Sequence, residues 1–141
     1  MAAGVTQLSE IMHRDLVTVG KGASLRRARR ILDQQRIRHL LVVDGKRLVG
    51  IVTDRDIRTA APSSKSPLTM AEREEFMDEL KVVEVMSRKL ITASPDTTVR
   101  EAARVMVNEK IGCLPVVIGN QLVGIVTESD LLEMLVREEQ P

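Results

Sequence analysis

The sequence predicts an α/β (α+β) fold built from two copies of one β-α-β-β-α unit. Three observations carry that expectation. Gly50-Ile51-Val52-Thr53-Asp54-Arg55-Asp56 returns as Gly124-Ile125-Val126-Thr127-Glu128-Ser129-Asp130, an offset of 74 residues. The offset then holds without a gap back along the chain. Ile11 to Thr18 lies over Val85 to Thr92, and Leu40, Val42, Val43 and Gly45 lie over Leu114, Val116, Val117 and Gly119. Register kept over this length marks a duplicated structural unit. Finally, each copy sets apolar β-type runs and a helical pattern in the same order.

The elements follow from local chemistry. Residues 1–10 are a lead-in, with a helical turn around Leu8-Ser9-Glu10-Ile11-Met12. Leu16-Val17-Thr18-Val19 is a short β run, and Val19-Gly20-Lys21-Gly22 a turn. Ser24 suits an N-cap, because its hydroxyl accepts from free amides of the first helical turn. The helix it opens runs to about Gln35, with Leu25, Ala28, Ile31 and Leu32 on one face. Arg26, Arg27, Arg29 and Arg30 fill the other faces and read as a solvated surface. Leu40 to Val43 and Arg47 to Thr53 are two strands joined at Asp44-Gly45, a strong hairpin signal. Asp54 is the expected cap of the helix that follows. The second copy has Leu90-Ile91-Thr92, a helix from about Thr98 to Glu109, strands Leu114 to Ile118 and Gln121 to Thr127 around Gly119-Asn120, and a last helix from Glu128 to about Arg137. Glu138 to Pro141 reads as frayed.

Between the copies, Ala61-Pro62-Ser63-Ser64-Lys65-Ser66-Pro67 reads as a flexible loop. Thr69 then opens an inserted helix to Leu80, with Glu72 three residues on as in a capping box. Phe76, Met77 and Leu80 give it an apolar edge, read as a strut on the core with a lid or dimer contact as the alternative. The division is therefore 1–60 for the first unit, 61–81 for loop and inserted helix, and 82–141 for the second.

Composition narrows the function. At 141 residues, 43% hydrophobic and 29% charged, the chain has room for one domain or for two small units sharing a core. A net charge of +1 and a single aromatic residue, Phe76, argue against a nucleic-acid binder. One cysteine, Cys113, excludes an intrachain disulfide and a cysteine-based zinc cluster. No signal-peptide pattern opens the chain, and no apolar stretch approaches the ~20 residues of a membrane helix. The expected location is cytoplasmic. There is no Gly-x-Ser-x-Gly elbow, Walker-type loop or His-Glu-x-x-His. No enzyme activity and no metal site are expected. Cys113 reads as a small buried hydrophobe and His13 as a solvated turn residue. Met12 and Met86, at one repeat position, read as packing under a cleft or as core.

Two such units, each ending in Gly-hydrophobic-hydrophobic-Thr-x-x-Asp, resemble CBS domains, and a tandem pair resembles a Bateman module. The likeness runs from about Leu8 to Arg137, with Arg38-His39-Leu40 and Leu114-Pro115-Val116-Val117 at the matching point of each copy. Without an attached catalytic domain, it is similar to the stand-alone bacterial type. The resemblance implies two units packed as a pseudo-twofold pair with two clefts for adenosine compounds. AMP, ADP, ATP and S-adenosylmethionine are the main ones, with magnesium a candidate companion of ATP. It also implies a flat homodimer and a protein effector of unknown identity. The favoured cleft takes Val17, Ile37, Arg38, His39 and Leu40 with Ile125, Thr127, Ser129 and Asp130. The second takes Ile91, Ile111, Gly112, Cys113 and Leu114 with Ile51, Thr53, Arg55 and Asp56.

The chemistry of these residues agrees. A carboxylate such as Asp130 or Asp56 accepts two hydrogen bonds at once and suits ribose hydroxyls. Thr127 or Thr53 stands at a helix entrance, where free amides suit phosphate. Arg38 and His39 add a cationic arm, which ranks the Asp130 cleft first for a phosphorylated ligand. The expected function is a regulatory adenosine-nucleotide sensor. The alternative is a ligand-free structural dimer or partner-docking module. A nucleic-acid-responsive regulator stands third. Apolar faces at Leu25–Leu32, Val99–Val107, Ile57 and Leu131-Leu132-Leu135 are the candidate dimer interface.

Overall fold

The computed structural model describes residues 6–138. These residues form two compact bodies. One comprises residues 17–90, and the other combines the N-terminal segment up to Leu16 with the chain from Ile91 onward. The repeats 1–60 and 82–141 are thus cut differently by the packing, and the reason lies in the lead-in segments. In the body that holds the second repeat, Leu8 N–H donates to Thr97 O (2.9 Å), Ser9 N–H to Pro95 O (2.9 Å) and Val99 N–H to Thr6 O (2.8 Å). In the other body, Val82 N–H donates to Ala23 O (2.8 Å), Val83 N–H to Lys21 O (3.2 Å) and Leu25 N–H to Leu80 O (2.9 Å). The two sets match at the 74-residue offset. Each lead-in satisfies orphan backbone groups at the start of the other repeat's first helix.

In the 17–90 body, β1 (Thr18–Gly20) pairs parallel with β2 (His39–Asp44), and β2 pairs antiparallel with β3 (Arg47–Thr53). The β2–β3 turn places Gly45 at φ +64, a conformation glycine adopts without strain. Helices α1 (Leu25–Gln35), α2 (Asp54–Ala60), α3 (Met70–Glu79) and the short α4 (Val82–Val85) complete it. Ser24 caps α1 as its sequence position predicts, accepting from Arg27 N–H at 3.1 Å. The core gathers Val19, Leu25, Ala28, Leu32, Leu40, Val42, Val52, Ile57, Met77, Val82 and Met86.

The second body contains a 3-10 turn (Leu8–Glu10), α5 (Val99–Glu109), β4 (Cys113–Ile118), β5 (Gln121–Thr127) and α6 (Glu128–Glu138). Its strands pair antiparallel, and Thr98 caps α5 in a reciprocal box with Glu101. Leu8, Met12, Val99, Ala102, Met106, Leu114, Val116, Val126 and Leu131 form its core.

Several expectations change. Leu90-Ile91-Thr92 is not a strand. Its repeat contact with β4 shrinks to one parallel bridge, Ala93 to Val116, because the Ser94–Thr97 side-chain turn follows at once. Asp54 does not cap α2. Thr53 does, accepting from Asp56 N–H, while Asp54 pairs with Arg58 at 3.1 Å. The 61–67 loop is tied down, since Arg73 donates to the carbonyls of Pro62 (3.2 Å), Ser66 (3.2 Å) and Leu68 (3.4 Å). The inserted helix starts at its Thr69–Glu72 box, which holds the Glu72 carboxyl below its usual range. It buries Met77 and leaves Phe76 exposed. Of the expected dimer faces, Leu25, Ala28, Leu32 and Ile57 are consumed inside their own core. Glu138 is helical and closes α6, and the other residues expected to fray lie outside the described residues.

Candidate functional site

Each repeated Gly-to-Asp segment runs from a strand into a helix, and the helix start fixes its polar groups. In the 17–90 body, Asp56 N–H donates to Thr53 Oγ1 (3.1 Å), and Thr53 N–H donates to Asp56 Oδ2 (2.9 Å). This reciprocal box satisfies two amides that a helix start leaves open. Strand register places His39 opposite Thr53, and Asp54 N–H donates to Arg38 O at 3.2 Å. Arg38 and His39 therefore stand beside Thr53, Asp54, Arg55 and Arg58 of the same body. Together these six residues line an open cavity of about 560 Å³. Arg58 is engaged by Asp54, whereas the guanidinium groups of Arg38 and Arg55 make no hydrogen bond or ion pair among the described residues. Three arginines against one carboxylate make the cavity cationic. Val17, Ile37 and Ile51 are half-buried in the same body, and Leu40 lies wholly in its core.

The second body repeats the backbone but changes the side chains. Cys113 pairs with Thr127, and Glu128 N–H donates to Gly112 O at 3.1 Å. Glu128 and Ser129 replace Asp54 and Arg55, so the cationic lining is absent from this copy. Asp130 Oδ2 accepts from Thr127 N–H (2.8 Å) and from Thr127 Oγ1 (3.1 Å). Its other oxygen, Oδ1, lies 2.6 Å from His13 Nε2. Ile91, Ile111 and Ile125 are half-buried here, while Leu114 and Cys113 are buried.

His13 is the residue beside Asp130 that sequence reasoning missed. It is not a free turn residue. Two backbone hydrogen bonds lock it to Ile125, His13 N–H to Ile125 O (2.9 Å) and Ile125 N–H to His13 O (3.0 Å). The register equivalence of Ile11–Thr18 with Val85–Thr92 held the only signal, because Ser87 bridges Ile51 in the same way.

Burial pushes the Cys113 thiol up to about 11. At pH 8, DTNB is expected to modify the folded chain about a hundredfold more slowly than the guanidinium-unfolded chain, from thiolate fraction alone. The folded value lies above the unfolded one. This contribution to stability is therefore complete below about pH 9 and lost as pH rises through about 11.

The fold and the duplicated helix start define a tandem pair of one repeated unit. The sequence profile of the CBS domain matches residues 8–63 and 82–137. The chain belongs to the CBS-domain family and carries two copies of the domain. It is 35% identical over 136 residues to a CBS domain-containing protein of Dictyostelium discoideum, covering 95% of this chain and 94% of that protein. It is 34% identical to an inosine-5′-monophosphate dehydrogenase of Korarchaeum cryptofilum over the whole of this chain, which spans 26% of that enzyme. Among solved structures, the CBS domain pair of protein MJ0100, in complex with 5′-methylthioadenosine and S-adenosyl-L-methionine, superposes with a TM-score of 0.77. It is 30% identical, with 96% of this chain and 99% of that one covered.

Proposed function

We propose that this chain is a regulatory adenosine-ligand module without catalysis of its own, binding AMP, ADP, ATP or S-adenosylmethionine and reporting occupancy to a protein effector. The observation that carries this is the cavity made cationic by Arg38, Arg55 and Arg58 beside the Thr53–Asp56 box. Two uncommitted guanidinium groups suit the phosphates of a nucleotide, and Asp56 Oδ1 is open to ribose hydroxyls. With Phe76 the single aromatic side chain, adenine would rest on branched aliphatic residues. The adenosine ligands of the MJ0100 domain pair support the same ligand class. Binding would act by favouring one of two arrangements of the protein, in proportion to its different affinity for them.

Calorimetric titration with AMP, ADP, ATP and S-adenosylmethionine tests this, run beside Arg55→Ala and Asp56→Asn. Saturable binding of a nucleotide, weakened about tenfold or more in each variant, is the expected result. No binding of any of the four to the folded protein would defeat the proposal.

A second reading has its own observation. Helix α6 exposes Leu132, Leu135 and Val136, and α5 exposes Val107. A homodimer or docking module would use such side chains. A dimer by light scattering that Leu132→Glu and Leu135→Glu convert to monomer, without nucleotide binding, would favour it. Among the described residues no helix is long and apolar enough to cross a membrane.

A further inference from the structure

We propose that His13 sets the ligand affinity of the Asp130 motif by holding the carboxylate oxygen that an incoming ribose needs. The proposal rests on the adenosine-ligand assignment above. A carboxylate has about four acceptor positions, two on each oxygen. At Asp130 three are taken: Thr127 N–H and Thr127 Oγ1 on Oδ2, and His13 Nε2 on Oδ1. A vicinal diol donates two hydrogen bonds, so it cannot be satisfied there while the imidazole stays. At Asp56 one position is taken, by Thr53 N–H. Ser87 holds the repeat position of His13, and its side chain makes no bond to Asp56. The two motifs match in sequence, yet one carboxylate is open and the other occupied.

The geometry allows release. The Asp130 side chain is 11% exposed, whereas that of His13 is 60% exposed. The His13 backbone is pinned to Ile125 on both sides, so the ring can turn out to solvent without unpairing the chain. Ligand entry at Asp130 therefore exchanges one charge-assisted hydrogen bond for ribose contacts, an exchange that Asp56 does not require. This reverses the order expected from sequence, in which the Asp130 site ranks first.

The test isolates the Asp130 motif in an Asp56→Asn background, which retains an oxygen to accept from Thr53 N–H. AMP, ATP and S-adenosylmethionine are titrated calorimetrically into Asp56→Asn and into Asp56→Asn/His13→Ser. Serine is what the other repeat carries at this position. The His13→Ser change is expected to tighten binding about tenfold, the worth of one hydrogen bond to a charged group. Adding Asp130→Asn should abolish that gain, which a general loosening of the fold would not do. In the converse variant, Ser87→His should weaken binding in the otherwise unaltered chain. Unchanged or weaker binding in His13→Ser, with the wild-type chain still binding, overturns the role of His13 alone. Absence of binding in the wild type and every variant overturns this role together with the proposed function.

Discussion

Leu8→Ala is expected to destabilise the protein by about 3 kcal/mol, although residue 8 stands in a segment that reads as a lead-in. Its side chain is fully buried. It packs in one cluster with Met12 and with Val99, Ala102, Met106, Leu114 and Val126, the last five far along the chain. Truncating such a leucine removes its transfer free energy and leaves a cavity, together about 2–5 kcal/mol. Anchoring keeps the site from collapsing. Leu8 N–H is tied to Thr97 O, and Val99 N–H to Thr6 O, so the segment cannot shift inward to fill the space. Urea unfolding monitored by circular dichroism measures the loss. Val136→Ala on the exposed side of α6 is the control and should change stability by less than about 0.5 kcal/mol. A cost below about 1 kcal/mol for Leu8→Ala would mean that the lead-in does not belong to this core.

The same segment shows where sequence reasoning stops. Helix starts were legible because capping is local. Ser24, Thr69 and Thr98 each sit where their hydroxyls accept from an amide three residues on. The two hairpins were legible because Gly45 and Gly119 carry the positive φ that the turns need. The fold class followed from the 74-residue offset. What was not legible depends on contacts between residues distant in sequence. The exchange of lead-ins joins Leu8 to Thr97 and Val82 to Ala23, and no local period records it. His13 and Asp130 are 117 positions apart, and the pairing exists only because a two-bond bridge to Ile125 sets the histidine beside the start of α6. The four-residue α4 has too few turns to show a period. At the candidate site, Thr53, Arg55 and Asp56 could be read from their motif, whereas repeat position assigns Arg38 and His39 to the Asp130 cleft. That Arg38 and His39 stand beside Thr53 is a product of strand register.

Gly50→Ala is expected to cost about 2 kcal/mol, and Gly124→Ala somewhat less. Alanine is ordinarily the better strand residue of the two, so an unfavourable effect has to come from crowding. A Cβ on Gly50 would run into Met86 Sδ, with Met86 Cγ at 2.8 Å and Ser87 O at 3.0 Å. A Cβ on Gly124 would lie 2.5 Å from Met12 Sδ, 3.0 Å from Met12 Cγ and 3.2 Å from His13 O. A methionine can turn away, though Met86 and Met12 are both core residues and have little room. The carbonyls cannot turn. Ser87 O accepts from Ile51 N–H at 3.1 Å, and His13 O accepts from Ile125 N–H at 3.0 Å. Overpacking of this kind costs about 1–3 kcal/mol, and the nearer carbonyl puts Gly50→Ala above Gly124→Ala. In a Met86→Ala background, Gly50→Ala should cost less than in the wild type yet stay unfavourable, since Ser87 O remains in place. The two substitutions should also differ in binding. Gly124→Ala pushes on the residue that carries the imidazole facing Asp130, so it should loosen that hydrogen bond and ease ligand entry there. Gly50→Ala displaces Ser87, which holds nothing at Asp56, and should alter stability more than affinity. Equal stability of both variants with the wild type would show that the segments carrying Met12 and Met86 move freely from β5 and β3. The lock on His13 would then fall with them.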